Sequence, residues 1–147
     1  MSSTGLEVFD TTLHKTNEWL KQIMERLATQ DRHLAYLGLR ATLHALRDRL
    51  PPELAVHLGA QLPLLVRGIY YEGWRLAATP TREHQWDEFL DHVRRELPGD
   101  SGGRAQDLVQ AVFAVLAARV DAGEVRKVVN SLPRPLRAAW PEGAGSS

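Results

Sequence analysis

The feature that most constrains this chain is a match to itself. Displaced by 70 positions, residues 14–70 align with 84–140 without a gap. His14/His84, Glu18/Glu88, Leu20/Leu90, Leu27/Leu97, Ala35/Ala105, Ala41/Ala111, Leu46/Leu116, Arg49/Arg119, Leu62/Leu132, Pro63/Pro133 and Arg67/Arg137 are identical pairs. Conservative pairs fall between them, among them Trp19/Phe89, Ile23/Val93, Leu43/Phe113, Leu58/Val128 and Tyr70/Trp140. The apolar pairs keep one helical phase throughout, the signature of a tandem unit. A copy of this length buries too little surface to be stable alone, so the two copies must share a core.

Each copy reads as helices. Leu13, Leu20, Ile23, Met24 and Leu27 recur at helical spacing, with Asp10, Thr11 or Thr12 as the cap of a first helix. A second helix runs from about Asp31, its cap, to Leu50, with Tyr36, Leu39, Leu43, Leu46 and Leu50 inward. Pro51 stops it, because proline disfavours helical geometry in the residue before it. Short helices follow at 52–61 and 63–72, the latter ended by Gly73. The second copy predicts helices over 86–97, 103–120, 121–131 and 133–140, with PGDSGG as an interhelix loop. No segment alternates with the period of a strand. The expected fold is all-α, a compact helical bundle of two tandem four-helix repeats related by pseudo-twofold symmetry. It is read as a single domain over 9–142, with repeats 9–75 and 84–142, linker 76–83, and flexible termini 1–8 and 143–147.

Composition removes several classes of function. The chain has no cysteine, so thiolate zinc sites, iron–sulfur clusters and cysteine nucleophiles are excluded. Eighteen basic residues balance eighteen acidic ones, without the positive excess that phosphate recognition needs, so nucleic acid is not the expected partner. The N-terminus shows no basic region followed by an apolar run, and no apolar run is long enough for a bilayer; a cytoplasmic, non-membrane protein is expected.

The string QLPLLVRGIYYEGWR, with WDEFLDHVRREL after a spacer and SLPRPLRAAWPEG near the end, resembles the family catalogued as domain of unknown function 2267. The resemblance covers roughly residues 9–142. It implies an all-helical bacterial protein made from a duplicated unit. It brings no established activity and hence no functional residues to carry over.

The remaining chemistry must come from the residues. His14 and Glu18, like His84 and Glu88, stand four apart on a helix face, but the Glu-x-x-His spacing of carboxylate-bridged metal bundles is missing. No metal or other cofactor is expected. His33, His44, His57 and His92 have no partner in phase, and His44 reads as a partly buried helix residue. No serine lies in a nucleophile elbow. The loop PGDSGGR lacks the strand and the terminal motif of a phosphate-binding loop and reads as a flexible connector. Arg40, Arg47 and Arg49, and Arg126, Lys127, Arg134 and Arg137, are interspersed with acids and read as solvated surface. Tyr70 and Trp140 read as plugs of the bundle. Tyr71 and Trp74 have no aromatic counterparts in the second copy and, with Arg67, are the candidate interface. The leading expectation is a non-catalytic protein-interaction or structural module with a protein partner, a homo-oligomer being one form of it. A small-ligand protein or enzyme using the cleft between the repeats is the alternative, and weak nucleic-acid binding is a second.

Overall fold

The protein is described from a computed structural model covering residues 3–145. Among these the regular structure is helical throughout: α1 Glu7–Leu27, α2 Arg32–Arg49, α3 Pro52–Ala60, α4 Leu64–Tyr71, α5 Trp86–Arg94, α6 Ala105–Arg119, α7 Ala122–Ser131 and α8 Arg134–Arg137.

Local signals account for most boundaries. The Asp31 carboxylate caps α2 by accepting from the Leu34 amide at 3.0 Å, and Asp121 caps α7 through the Glu124 amide at 3.2 Å. Leu50 and Val120 leave helical geometry immediately after α2 and α6. The start of α1 differs from expectation. The helix begins at Glu7, within the segment expected to be flexible, and Leu6 is its cap residue, with no side-chain hydrogen bond. Asp10 instead accepts from the Thr4 amide and hydroxyl at 3.0 and 2.8 Å, folding residues before the helix back onto its first turns. Residues 1–2 and 146–147 of the expected flexible termini lie outside the described residues.

Three further expectations are corrected. The PGDSGG connector is wound into 3-10 turns over Gly99–Arg104 ahead of α6, and α8 is a single turn rather than the span 133–140. Leu13, placed on the buried stripe of α1, is exposed, because the buried face of that helix starts only at Thr16.

One continuous core draws on all eight helices, from Trp19 and Ile23 of α1 to Leu136 of α8 and Trp140 just after it. The helix pairs that build it run across the chain: α2 crosses α6, α1 packs on α6, α2 packs on α5, and α3 meets α7. At the α2–α6 crossing Gly38 faces Leu108 so closely that a Cβ on it would lie 2.6 Å from the leucine Cδ2. Glycine is what lets these two helices approach. Tyr70 is fully buried, and its hydroxyl donates to the Ala55 carbonyl at 2.6 Å. Burial pushes that phenol well above its ordinary pKa. Trp140, at the matching position, is buried against Phe113 with ring centroids 4.1 Å apart. Both aromatics plug the bundle as expected.

Candidate functional site

The most concentrated polar chemistry lies where α2 meets α5, under the segment 72–83 that joins α4 to α5. The middle of α2 is buried on every side from Ala41 to Arg47, so the ionisable side chains there must find their partners inside the protein. His44 does so on both ring nitrogens. Nδ1 stands 2.8 and 2.9 Å from the two Glu96 oxygens, and Nε2 stands 2.7 Å from the Ile69 carbonyl. Both ring nitrogens of His44 therefore face oxygen atoms of the protein. Arg40 also reaches Glu96, at 3.2 Å, and Glu72, at 2.6 Å. The Arg40 hydrogen bond, followed by its charge, holds the Glu72 carboxyl below its usual range.

One turn further, Arg47 is only 4% exposed. Its Nη1 donates to the carbonyls of Tyr70 and Glu72 at 2.9 and 2.8 Å, and its Nε donates to Asp48 at 2.8 Å. His92 of α5 sits between two carboxylates, Glu83 at 2.6 Å and Asp48 at 3.4 Å. Burial alone would lower the His92 pKa, but hydrogen bonds to Asp48 and Glu83 outweigh it and hold it above the ordinary value. Burial likewise favours the neutral form of Asp48, and the hydrogen bonds from His92 and Arg47 reverse that, so its pKa is lowered. The Thr81 amide donates to the Asp48 carbonyl at 2.8 Å, and Arg49 donates to the Glu83 carbonyl at 2.7 Å. Residues 72–83 are therefore strapped across the seam from Glu72 to Glu83.

Arg40, Arg47 and Arg49 are thus not solvated surface; they hold the strap and the seam. His92 is not partnerless. The one sequence signal for this was phase: Arg47 falls four residues after Leu43 and three before Leu50, on the inward face of α2. Glu96 and the strap carbonyls could not be found that way, because their approach is set by the tertiary fold.

The other candidates lie elsewhere. His14 and Glu18 form an exposed pair at 2.8 Å on α1. Glu88 accepts from the His84 and Gln85 amides at 3.0 and 2.9 Å, closing a capping box at the start of α5. Glu18 also accepts from Arg119 of α6 at 3.1 Å, whereas Glu88 is satisfied at the start of its own helix. Among the described residues, no group of three histidine or acidic side chains is placed to hold a metal ion. Arg67 donates to the carbonyls of Gly59, Ala60 and Leu62 at 3.0–3.3 Å, tying α4 to the end of α3. Arg137 does the same for α7 through Asn130 and Leu132. Tyr71 stacks on Trp74 at 5.6 Å and donates to the Val56 carbonyl at 3.3 Å. Both rings are half-buried and packed on the core, not substantially exposed as a free contact surface would have them. Gly59 leaves the space in which the Tyr71 phenol lies.

Residues 16–139 match the family described as "Uncharacterized conserved protein (DUF2267)". The chain belongs to that family. No curated protein matches it. The match takes in most of α1 and all of α2 to α8, and so contains the whole seam of this DUF2267 chain. No helix among its described residues is long and apolar enough to cross a membrane.

Proposed function

We propose that this DUF2267 chain is a non-catalytic helical interaction module built from two copies of one unit. Its contact surface is the face shared by the start of α1 and by α4. The observation that carries this is a cluster of large apolar side chains left in solvent there. Val8, Phe9 and Leu13 project from α1, and Leu64 and Leu65 from α4, at exposures from 38% to 58%. Single exposed apolar residues are ordinary, whereas a grouped set marks a contact site. The Thr12 hydroxyl accepts from the Leu65 amide at 2.9 Å and fixes the two helices side by side. Between them runs an open groove of about 560 Å³, lined by Val8, Thr11, Thr12, Pro63 and Leu64 among others. Tyr71, seven residues beyond Leu64 on α4, and Trp74 are proposed as the half-buried edge of this surface. Arg67 is the staple that holds α4 in place.

The duplicated reading draws support from reciprocity: α1 on α6 is matched by α2 on α5, and α2–α6 and α3–α7 are pairs of counterparts. The non-catalytic reading draws support from the seam, where both nitrogens of His44 and of His92 face protein acceptors. A general base needs one of them free to meet a substrate.

Sedimentation of the parent and of a Val8→Ser, Leu64→Ser variant tests the contact surface, with a second copy as the first partner examined. The parent should self-associate and the variant sediment as a monomer with its melting temperature nearly unchanged, as for substitutions at exposed positions. Equal association of both would remove this face from consideration.

A further inference from the structure

The groove of the α1–α4 face is walled on one side by a stripe of α1, in which Glu7, Thr11 and Lys15 follow one another at four-residue intervals, all of them exposed. The stripe ends in opposite charges. Glu7 and Lys15 stand about 12 Å apart along the axis, at ~1.5 Å per residue, too far to pair with each other. Neither side chain has a hydrogen bond or ion pair with a described residue. The other charges of this face are engaged: Asp10 by Thr4, Glu18 by His14 and Arg119, and Arg67 by the Gly59 carbonyl. A partner for the stripe must therefore offer a cation at its Glu7 end and an anion at its Lys15 end. The same helix turned end for end does so.

Helical geometry makes that match closer than the charges alone require. A step of four residues overshoots a full turn by about 40°, so Glu7 stands to one side of Thr11 and Lys15 equally far to the other. A twofold axis through Thr11 and across the helix reverses both height and side. Glu7 of a second copy then arrives level with Lys15 and on the same side of the contact, and the reciprocal pair forms at the other end. The same rotation brings the exposed His14 ring of the second copy over Val8, beside the groove. Thr11 meets its own image on the axis, where its short side chain lets the helices approach to the usual separation of about 8–10 Å. A parallel arrangement would instead set Glu7 against Glu7 and Lys15 against Lys15.

We infer that the α1–α4 face is occupied by a second copy of this chain, through an antiparallel α1–α1 contact about a twofold axis at Thr11, with Glu7 and Lys15 as reciprocal ion pairs. The inference rests on the reading of this face as the contact surface and adds the occupant, its direction and its register. Burial of Val8 and Leu64 supplies attraction, and the two ion pairs select the antiparallel arrangement.

The test is sedimentation equilibrium of the full chain at low salt on five samples: the parent, Glu7→Lys, Lys15→Glu, the double reversal, and an equimolar mixture of the two single variants. The parent should dimerise, more weakly as salt is added. Each single reversal sets like charges together at both ends of the contact and should weaken the dimer on the order of tenfold or more. The double reversal should associate as the parent does. So should the mixture, in which each single variant supplies the charges that the other lacks. Should Glu7→Lys fray α1 by placing a cation in its first turn, as circular dichroism would reveal, Lys15→Glu against Lys15→Arg decides, only the first weakening the dimer. A parent monomeric at every concentration, which would leave the face to a different protein, overturns the inference. So does association indifferent to the single reversals, or a double reversal and mixture that fail to recover it. Loss of association in Val8→Ser, Leu64→Ser with indifference to charge reversal would keep the α1–α4 face and remove this arrangement. Normal association of that variant, with reversal and rescue as expected, would remove the apolar face and keep the α1 contact.

Discussion

Leu62 and Leu132 each precede a proline that turns the chain into the next short helix, and both are almost fully buried. Five residues later, Arg67 and Arg137 send their guanidinium groups back to the carbonyls of Leu62 and Leu132 themselves. Leucine, proline and arginine thus work as one device: the leucine anchors the corner, the proline directs the chain, and the arginine satisfies the exposed helix end. Truncation to alanine should cost about 2–5 kcal/mol at either leucine, the usual range for buried leucines. Denaturant unfolding of Leu62→Ala and Leu132→Ala measures this, and a wild-type midpoint for either would show that its corner is not held by packing. The neighbouring aromatics do not match so well. The Tyr70 hydroxyl has its acceptor, whereas the Trp140 Nε1 is buried with no hydrogen-bond partner among the described residues.

At the scale of elements, the strap gains from both of the charges that flank it. In the unfolded chain His92 titrates near its ordinary 6.5 and Asp48 near 3.8; folding raises the first and lowers the second. The His92 contribution is complete below 6.5 and is lost as pH rises through the higher folded value. The Asp48 contribution is complete above 3.8 and is lost as pH falls through the lower folded value. The strap is therefore best held between these limits. The melting-temperature difference between parent and His92→Gln should shrink as pH is raised from about 6 to about 9. A difference constant over that range would mean that the imidazolium does not hold the strap. This element also marks how far the sequence was legible. The helices of α2, α3, α6 and α7 were readable from apolar phase, proline stops and aspartate caps, because those signals are local. The strap was not, since its ties are backbone carbonyls and amides that any sequence possesses. Arg47 was misjudged because an arginine inside a helix reads as solvated until the carbonyls that receive it are known.

For the molecule as a whole, the core leaves no boundary at which the chain could be divided. α6 packs on both α1 and α2, and α2 packs on both α5 and α6, so each half supplies the surface on which the other is covered. Residues 1–75 and 76–147 expressed separately should each show little helix by circular dichroism and regain it on mixing. A fully helical, cooperatively melting half would mean that the copies are independent domains.

The close approach of Gly38 to Leu108 carries a last consequence. These two residues are counterparts, 70 positions apart, and each meets the other where α2 crosses α6. In an assembly of two identical subunits, a residue on the dyad faces its own image. Leucine would then collide with leucine, or glycine would leave a void beside glycine. A knob and its socket cannot be encoded by one codon read twice. On the duplicated reading, joining the units in one polypeptide gives the two positions separate genetic addresses, and only then can one become the socket and the other the knob. On that reading, the crossing at the centre of the core is a contact that two identical copies of the unit could not make, and splitting the chain into identical subunits would forfeit it.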